Sequence, residues 1–237
     1  MLILPLRIVR YSDTKAVLNA YSRENGRIAF IIPDGKGKGA IRNRSVYQPL
    51  TPLEAQVDAR PGQEFHRIYE PQPIEPLFGI YSNPLKQTIV MFLAEALTSI
   101  LKHPLPDPLI FDFISQSIIT LDKLPTNKSA NFHIIFLWRL SQLLGIAPDT
   151  GAYVPGYIFD LNDAIFRPSF PLHRDYILPD FTPIIPLLDR LTYRSMSLLK
   201  ISRQQRSDIL DTIIRYYELH DIPLHPLRSL PVLRAIF

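Results

Sequence analysis

The 237-residue chain contains no cysteine. Disulfides, thiolate zinc sites, iron–sulfur clusters and a cysteine nucleophile are therefore excluded. The absence fits a reducing compartment. Long apolar runs are missing too. No stretch approaches the eighteen residues that a membrane span needs. The opening MLILPLR meets a charge at Arg7, too early for the core of a signal peptide. The expectation is a cytoplasmic protein with no membrane partner.

Familiar catalytic signatures are also lacking. There is no G-x-x-x-x-G-K-[ST], G-x-G-x-x-G or G-x-S-x-G. Gly35-Lys36-Gly37-Lys38-Gly39 has neither the four-residue gap nor the terminal hydroxyl of a P-loop. None of the histidines (His66, His103, His133, His173, His220, His225) stands in H-E-x-x-H spacing. His220 and His225 are separated by Pro223, which keeps two imidazoles off one helix face. Asp208 and Asp211 read as solvated helix charges. Trp138 reads as core. The expectation is a protein that is not an enzyme, with no catalytic residue, metal or cofactor.

What is present is an ordinary globular composition, 46% hydrophobic and 20% charged, with 23 prolines. That is about twice the usual proline share of roughly 5%, so many element ends should be punctuated by Pro. The net charge is +4, and it is unevenly spread. Residues 1–44 carry nine Lys/Arg against three acids, a balance of +6, leaving −2 for the remainder.

Residues 1–80 read as strands. Alternating segments run through Leu6 to Tyr11, Ala16 to Tyr21 and Arg27 to Ile32. Asn25-Gly26 signals a type I′ turn between the second and third. Two further β-prone stretches lie near 46–58 and 64–74, divided by Pro61-Gly62. Five short strands suit an OB-fold barrel, with a β-sandwich fragment as the alternative.

The period becomes helical at residue 83. Asn83-Pro84 and Asp107-Pro108 each pair an N-cap with proline at the first helical position. His103-Pro104 should end the first of these helices. A third should cover about 130–144, with Gly145 as its C-cap. Residues 146–181 break the pattern. There Tyr157-Ile158-Phe159 and Ala164-Ile165-Phe166 flank Asn162-Asp163 as a short hairpin. Helices resume at Thr182-Pro183 and at Ser202, where Gln205 completes a capping box. The closing RSLPVLRAIF is apolar enough to dock. The fold class is therefore α+β: a barrel domain over 1–80, then a mainly helical domain over 81–237 with an irregular insertion at about 146–181.

The informative object is the basic, glycine-rich loop. Its glycines let backbone approach a phosphate, and Lys36, Lys38, Arg42 and Arg44 supply cations. Arg7, Arg10, Lys15 and Arg27 extend the patch across the barrel. Tyr11, Tyr21 and Tyr47 are available for base stacking where exposed. The expected ligand is nucleic acid. The competing reading is a protein–protein adaptor whose basic loop meets an acidic partner.

The arrangement resembles the RecO family of bacterial recombination mediators. Tyr11-Ser12-Asp13 matches an aromatic–small–acidic step. Tyr21-Ser22-Arg23-Glu24-Asn25-Gly26-Arg27 resembles a hairpin with a Thr/Ser-Glu-x-Gly-Arg turn. Gln48-Pro49-Leu50-Thr51-Pro52-Leu53 is close to Q-P-F-x-P-L. Phe92 to Leu97, Leu143 to Pro148 and Arg228 to Phe237 resemble the family's A/N-E-L-L, L-L-x-x-G-[FY]-x-P and closing segments. One departure stands out: many members carry a four-cysteine zinc site after the G-x-x-P, and residues 149–181 contain no cysteine.

The resemblance implies an OB-fold on a helical domain and binding of single- and double-stranded DNA. It also implies annealing of complementary strands. It further implies work with RecR, and in some species RecF, to load RecA onto strands coated by single-strand-binding protein (SSB). In the family the acidic SSB tail docks in the helical domain. Arg139, or Arg203 and Arg206, are the expected basic rim for that tail. A nucleoid-associated location follows from the same resemblance.

Overall fold

A computed structural model of the chain describes residues 1–34, 45–58, 62–102, 105–224 and 226–237. Two compact units are present: Met1–Thr126 with Pro226–Ile236, and Asn127–His225 with Phe237. Each is described by itself.

The first unit begins with five strands, β1 (Leu2–Arg10), β2 (Lys15–Ser22), β3 (Gly26–Pro33), β4 (Leu53–Asp58) and β5 (His66–Pro73). They close into a barrel in the order β1-β2-β3-β5-β4, with β4 returning to β1. This is the OB-like barrel, and the sandwich alternative falls. Neighbours pair antiparallel except β3 and β5, which run parallel through Phe30↔His66 and Ile31↔Arg67. Alternation sends Ile3, Leu18, Ile28, Phe30, Ile32 and Leu53 inward to one core. A bulge at Glu70, with φ +49, bends β5.

The β2–β3 connection differs from the expected type I′ turn. Ser22 pairs directly with Gly26, leaving three loop residues, and Gly26 alone takes a positive φ, +67. Asn25 instead donates its amide to the Ser22 hydroxyl at 2.8 Å. A three-residue loop followed by a left-handed glycine at the first residue of β3 satisfies the strand twist equally well.

Three helices follow: α1 (Phe78–Tyr81), α2 (Pro84–Ile100) and α3 (Pro108–Lys123). The Asn83 carboxamide accepts from the Leu85 and Lys86 amides, and Asp107 does the same for Leu109 and Ile110. His103 and Pro104 lie outside the described residues. Close approach fixes α1: a Cβ on Gly79 would stand 2.2 Å from the Asp122 carbonyl oxygen. Buried Lys86 donates to that carbonyl at 2.7 Å, and the Ile80 amide to the Asp122 carboxylate at 2.7 Å. The unit closes with α7 (Leu230–Ile236), and Glu95 of α2 accepts the amides of Arg228 and Ser229, the two residues just before it.

The second unit holds α4 (Phe132–Leu143), α5 (Ile184–Arg190), α6 (Arg203–Leu219) and the strands β6 (Ile158–Asp160), β7 (Ile165–Arg167) and β8 (Tyr176–Ile177). Gly145 follows α4 with φ +74. Ser202 and Gln205 form the full capping box of α6. The expected hairpin pairs Phe159 with Phe166, and β8, unforeseen, adds to its other side. Asp160 is wholly buried in this small sheet. It accepts the Asn162 and Asp163 amides and lies 3.1 Å from the Arg167 guanidinium, as an ion pair rather than a well-aligned hydrogen bond. Aromatic contacts from Phe166 to Phe159 and Tyr153 pack the space beside it. No helix among the described residues is long and apolar enough to cross a membrane.

Candidate nucleic-acid interface

Strand register decides which side chains share a face. On the barrel exterior one row runs Val9–Val17–Ile31–Arg67–Asp58 across all five strands. The next row towards the β1–β2 loop is Tyr11–Lys15–Pro33, closed by the Tyr11 amide donating to the Lys15 carbonyl at 3.0 Å. On the other side lies Arg7–Asn19–Ala29. Arg7, Lys15 and Arg67 thus surround an apolar strip on one face, and all three are exposed. A groove of about 1100 Å³ follows β3 and β5 across it, lined by Lys15, Ile31, Phe65, Arg67 and Tyr69, with Asp58, Glu64 and Glu70 also on its walls. Proteins with this barrel bind oligonucleotides on the corresponding face, between the β1–β2 and β4–β5 loops.

The remaining proposed cations take other places. Arg10 has the opposite parity, opposite inward-facing Ala16, and lines a pocket of about 390 Å³ together with Arg7. Its guanidinium is held by Asp13 at 2.6 Å. Arg27 stands on the outer face but at its far end, opposite Tyr21. It is half-buried, reaches the Thr98 carbonyl at 3.4 Å, and burial lowers its pKa. Its place is therefore against α2 rather than among Arg7, Lys15 and Arg67. Lys36, Lys38, Arg42 and Arg44 lie outside the described residues.

Two of the three tyrosines read as stacking candidates are in fact buried. Tyr21 sits under the helices, where its hydroxyl accepts the Asp107 amide at 3.0 Å and burial raises its pKa. Tyr47 belongs to the barrel core, and burial pushes its hydroxyl up to about 12. Tyr11 is 62% exposed, and its ring centroid lies 5.9 Å from that of Phe65. Phe65, Tyr69 and Arg67 escaped sequence reasoning. The Arg67/Tyr69 alternation was visible, but its face depends on the long-range pairing of β5 with β3.

In the second unit Arg206 donates to the Asn131 carboxamide at 2.9 Å and to the Phe237 carbonyl at 2.7 Å. It lines a pocket of about 490 Å³ with Lys128, Lys200, Leu199 and Ile201. Arg139 is elsewhere, donating to the Leu191 carbonyl at 2.6 Å, and Arg203 is exposed on the first turn of α6. The cations beside Arg206 are therefore Lys128 and Lys200. Among the described residues no cluster of three or more His, Asp or Glu could hold a metal ion.

Residues 4–77 match the family model described as Recombination protein O N terminal, and residues 81–231 match Recombination protein O C terminal. The chain belongs to the RecO family. A curated relative, DNA repair protein RecO of Phocaeicola vulgatus, is 35% identical over 234 residues, covering 98% of this chain and 96% of the relative. The RecO of Bacteroides fragilis is 34% identical over 235 residues with the same coverage. That of Christiangramia forsetii is 28% identical over 236, covering 97% and 95%. RecO membership, the barrel and the helical remainder agree with one another along nearly the full chain.

Proposed function

We propose that this RecO-family chain is a non-catalytic, nucleoid-associated recombination mediator that holds DNA strands, anneals them and helps load recombinase onto SSB-coated DNA. The observation that carries the reading is the outer row of the barrel, where Arg7, Lys15 and Arg67 flank Val9, Val17 and Ile31. Residues 1–80 serve as the DNA-binding module. On sequence grounds Lys36, Lys38, Arg42 and Arg44 add to the same grip. Cations neutralise phosphates on two strands and lower their mutual repulsion, so bases can pair. Residues 81–237 hold protein partners: RecR, the SSB tail and, by family likeness, RecF and RecA.

The acidic SSB tail has a chemically suited receptor in the Lys128–Lys200–Arg206 pocket, where cations border Leu199 and Ile201. An acidic peptide ending in apolar residues would meet charge at the rim and apolar surface within.

The experiment is oligonucleotide binding by anisotropy across a salt series. Each phosphate contact on a single strand contributes about 0.7 to the salt slope. Reversing Arg7, Lys15 and Arg67 together to Glu should lower that slope by about 2 and weaken binding. An unchanged slope would remove these residues from the interface. Annealing of complementary strands should proceed without nucleotide, and an absolute ATP requirement would contradict the mechanism.

A further inference from the structure

The second unit carries ten Lys/Arg and ten Asp/Glu between Asn127 and His225, and so no net charge. The charges are nonetheless segregated. Residues 190–207 hold five cations, Arg190, Arg194, Lys200, Arg203 and Arg206, and no carboxylate. Packing brings this segment onto Lys128. The buried Asn131 carboxamide donates to the Met196 and Leu199 carbonyls at 3.0 and 2.9 Å and accepts from Arg206 at 2.9 Å. Beside it the Tyr193 ring stacks on Phe132, with centroids 4.5 Å apart. Residues 193–199 are thereby wrapped around the start of α4, just after Lys128. Lys128, Lys200 and Arg206 share one pocket, and Arg194 and Arg203 are exposed on the stretches that lead out of it. The bordering carboxylates are turned elsewhere. Asp189 is taken up by Gln142 and Thr150 at 2.6 and 3.1 Å. Asp208 is held by Gln204 at 2.7 Å and stands about 160° round the helix from Arg206. The cationic surface is thus longer than the pocket. A short acidic peptide covers the pocket alone, whereas a chain of repeating phosphates can follow the whole surface.

We propose that the basic surface from Arg194 to Arg206, with Lys128, is a second DNA-binding site separate from the barrel face, and that a strand held there displaces the acidic tail from the pocket. The exchange rests on the tail reading given above; the strand site stands on the cations alone. Both ligands are polyanions that need Lys128, Lys200 and Arg206, and one set of charges serves one of them at a time. Whatever factor the tail takes from DNA affinity, DNA takes from tail affinity, because the coupling is reciprocal. Recruitment through the tail is then self-limiting. Phosphates of the strand take over the cations, and the tail is released. A site in each unit also lets one chain carry two strands, which annealing requires.

The test uses the full chain and two probes, oligo-dT and a fluorescent peptide of four aspartates followed by two leucines. Arg194→Glu combined with Lys200→Glu should lower the salt slope of oligo-dT binding by about 1.4, two single-strand contacts. Arg194→Gln with Lys200→Gln removes the same contacts without reversing charge and keeps the test valid if the first variant fails to fold. Lys102→Glu with Arg174→Glu makes the same change in net charge at exposed positions elsewhere and should leave the slope as it is. Saturating oligo-dT should raise the apparent Kd of the peptide about tenfold or more. It should do so equally when Arg7, Lys15 and Arg67 are all Glu. A slope unchanged by the Arg194 and Lys200 substitutions, or lowered as much by those at Lys102 and Arg174, would overturn the strand site and leave the barrel reading intact. Undiminished peptide binding at saturating oligo-dT would overturn the exchange. Failure of the peptide to bind the wild type would overturn the tail reading and the exchange with it, while the slope still decides the strand site.

Discussion

Glu95 offers a sharp test of how the first unit is tied together. Its carboxylate accepts the Arg228 and Ser229 amides, both at 2.8 Å, and the Ser229 hydroxyl. These amides belong to the two residues immediately before α7, where no helical carbonyl can reach them. The side chain of one helix thus caps another 133 residues away in sequence. Glu95→Ala leaves two backbone donors to half-exposed solvent and removes the negative charge from the positive end of the helix. At about 1 kcal/mol for each charged hydrogen bond lost to partial hydration, the expected loss is about 2–3 kcal/mol. Glu95→Gln keeps an acceptor and should lose about half as much. The sign of the pH dependence follows from the same contacts. Burial raises the Glu95 pKa, but the Ser229 and Arg228 bonds outweigh it and hold the carboxyl below its ordinary 4.5. The contribution is therefore complete above that value and disappears as the pH falls through the lowered one. Urea unfolding gives the stability change. Amide exchange at Arg228 and Ser229, accelerated in the variant, gives its location. A Glu95→Ala protein with wild-type stability and unchanged exchange at both amides would refute the reasoning.

Other expectations are independent of that cap. His133 is wholly buried, and burial, aided by the Arg206 charge, pushes its imidazole down to about 3. The unfolded chain takes up a proton below about 6.5 while the folded one does not. Stability should be full above that value and lower by about 2 kcal/mol at pH 5. A His133→Leu variant should lack this part of the acid slope, and parallel pH curves for the two proteins would contradict it. Gly79→Ala drives a Cβ into the Asp122 carbonyl and should destabilise by about 2 kcal/mol or more, read by thermal unfolding. Asp160→Ala removes the acceptor of the Asn162 and Asp163 amides, leaves Arg167 paired with Asp163 alone, and should lose about 2 kcal/mol. Asp160→Asn, which keeps an acceptor for the Asn162 and Asp163 amides, should lose less.

The parts of this molecule that sequence exposes are the local ones. Asn83, Asp107 and the Ser202–Gln205 box each satisfy amides two or three residues away, so spacing alone reveals them. The hairpin around Asn162-Asp163 is equally local. Tyr21 and Tyr47 show the opposite case. Their burial depends on helices 86 residues downstream and on barrel closure, and no window around them carries that information. The same holds for the site. Arg7 and Lys15 share a face through the local β1–β2 pairing. Arg67 joins them only because β5 runs parallel to β3, a pairing of residues 36 apart in sequence. Arg27 fell away from the group for a similar reason, since α2 covers its end of the barrel. The buried Asp160 sits in the irregular segment after Gly145, and an ion pair with aromatic packing holds the hairpin there.

The central claim is that the outer face of the barrel grips single-stranded DNA. Hydrogen exchange of the full chain, with and without saturating oligo-dT, tests it most directly. Slowed exchange should appear in residues 7–19, 29–33 and 65–69, the strands and turn that carry Arg7, Tyr11, Lys15, Ile31 and Arg67. Slowing confined to Asn127–His225, with these three segments unchanged, would contradict it.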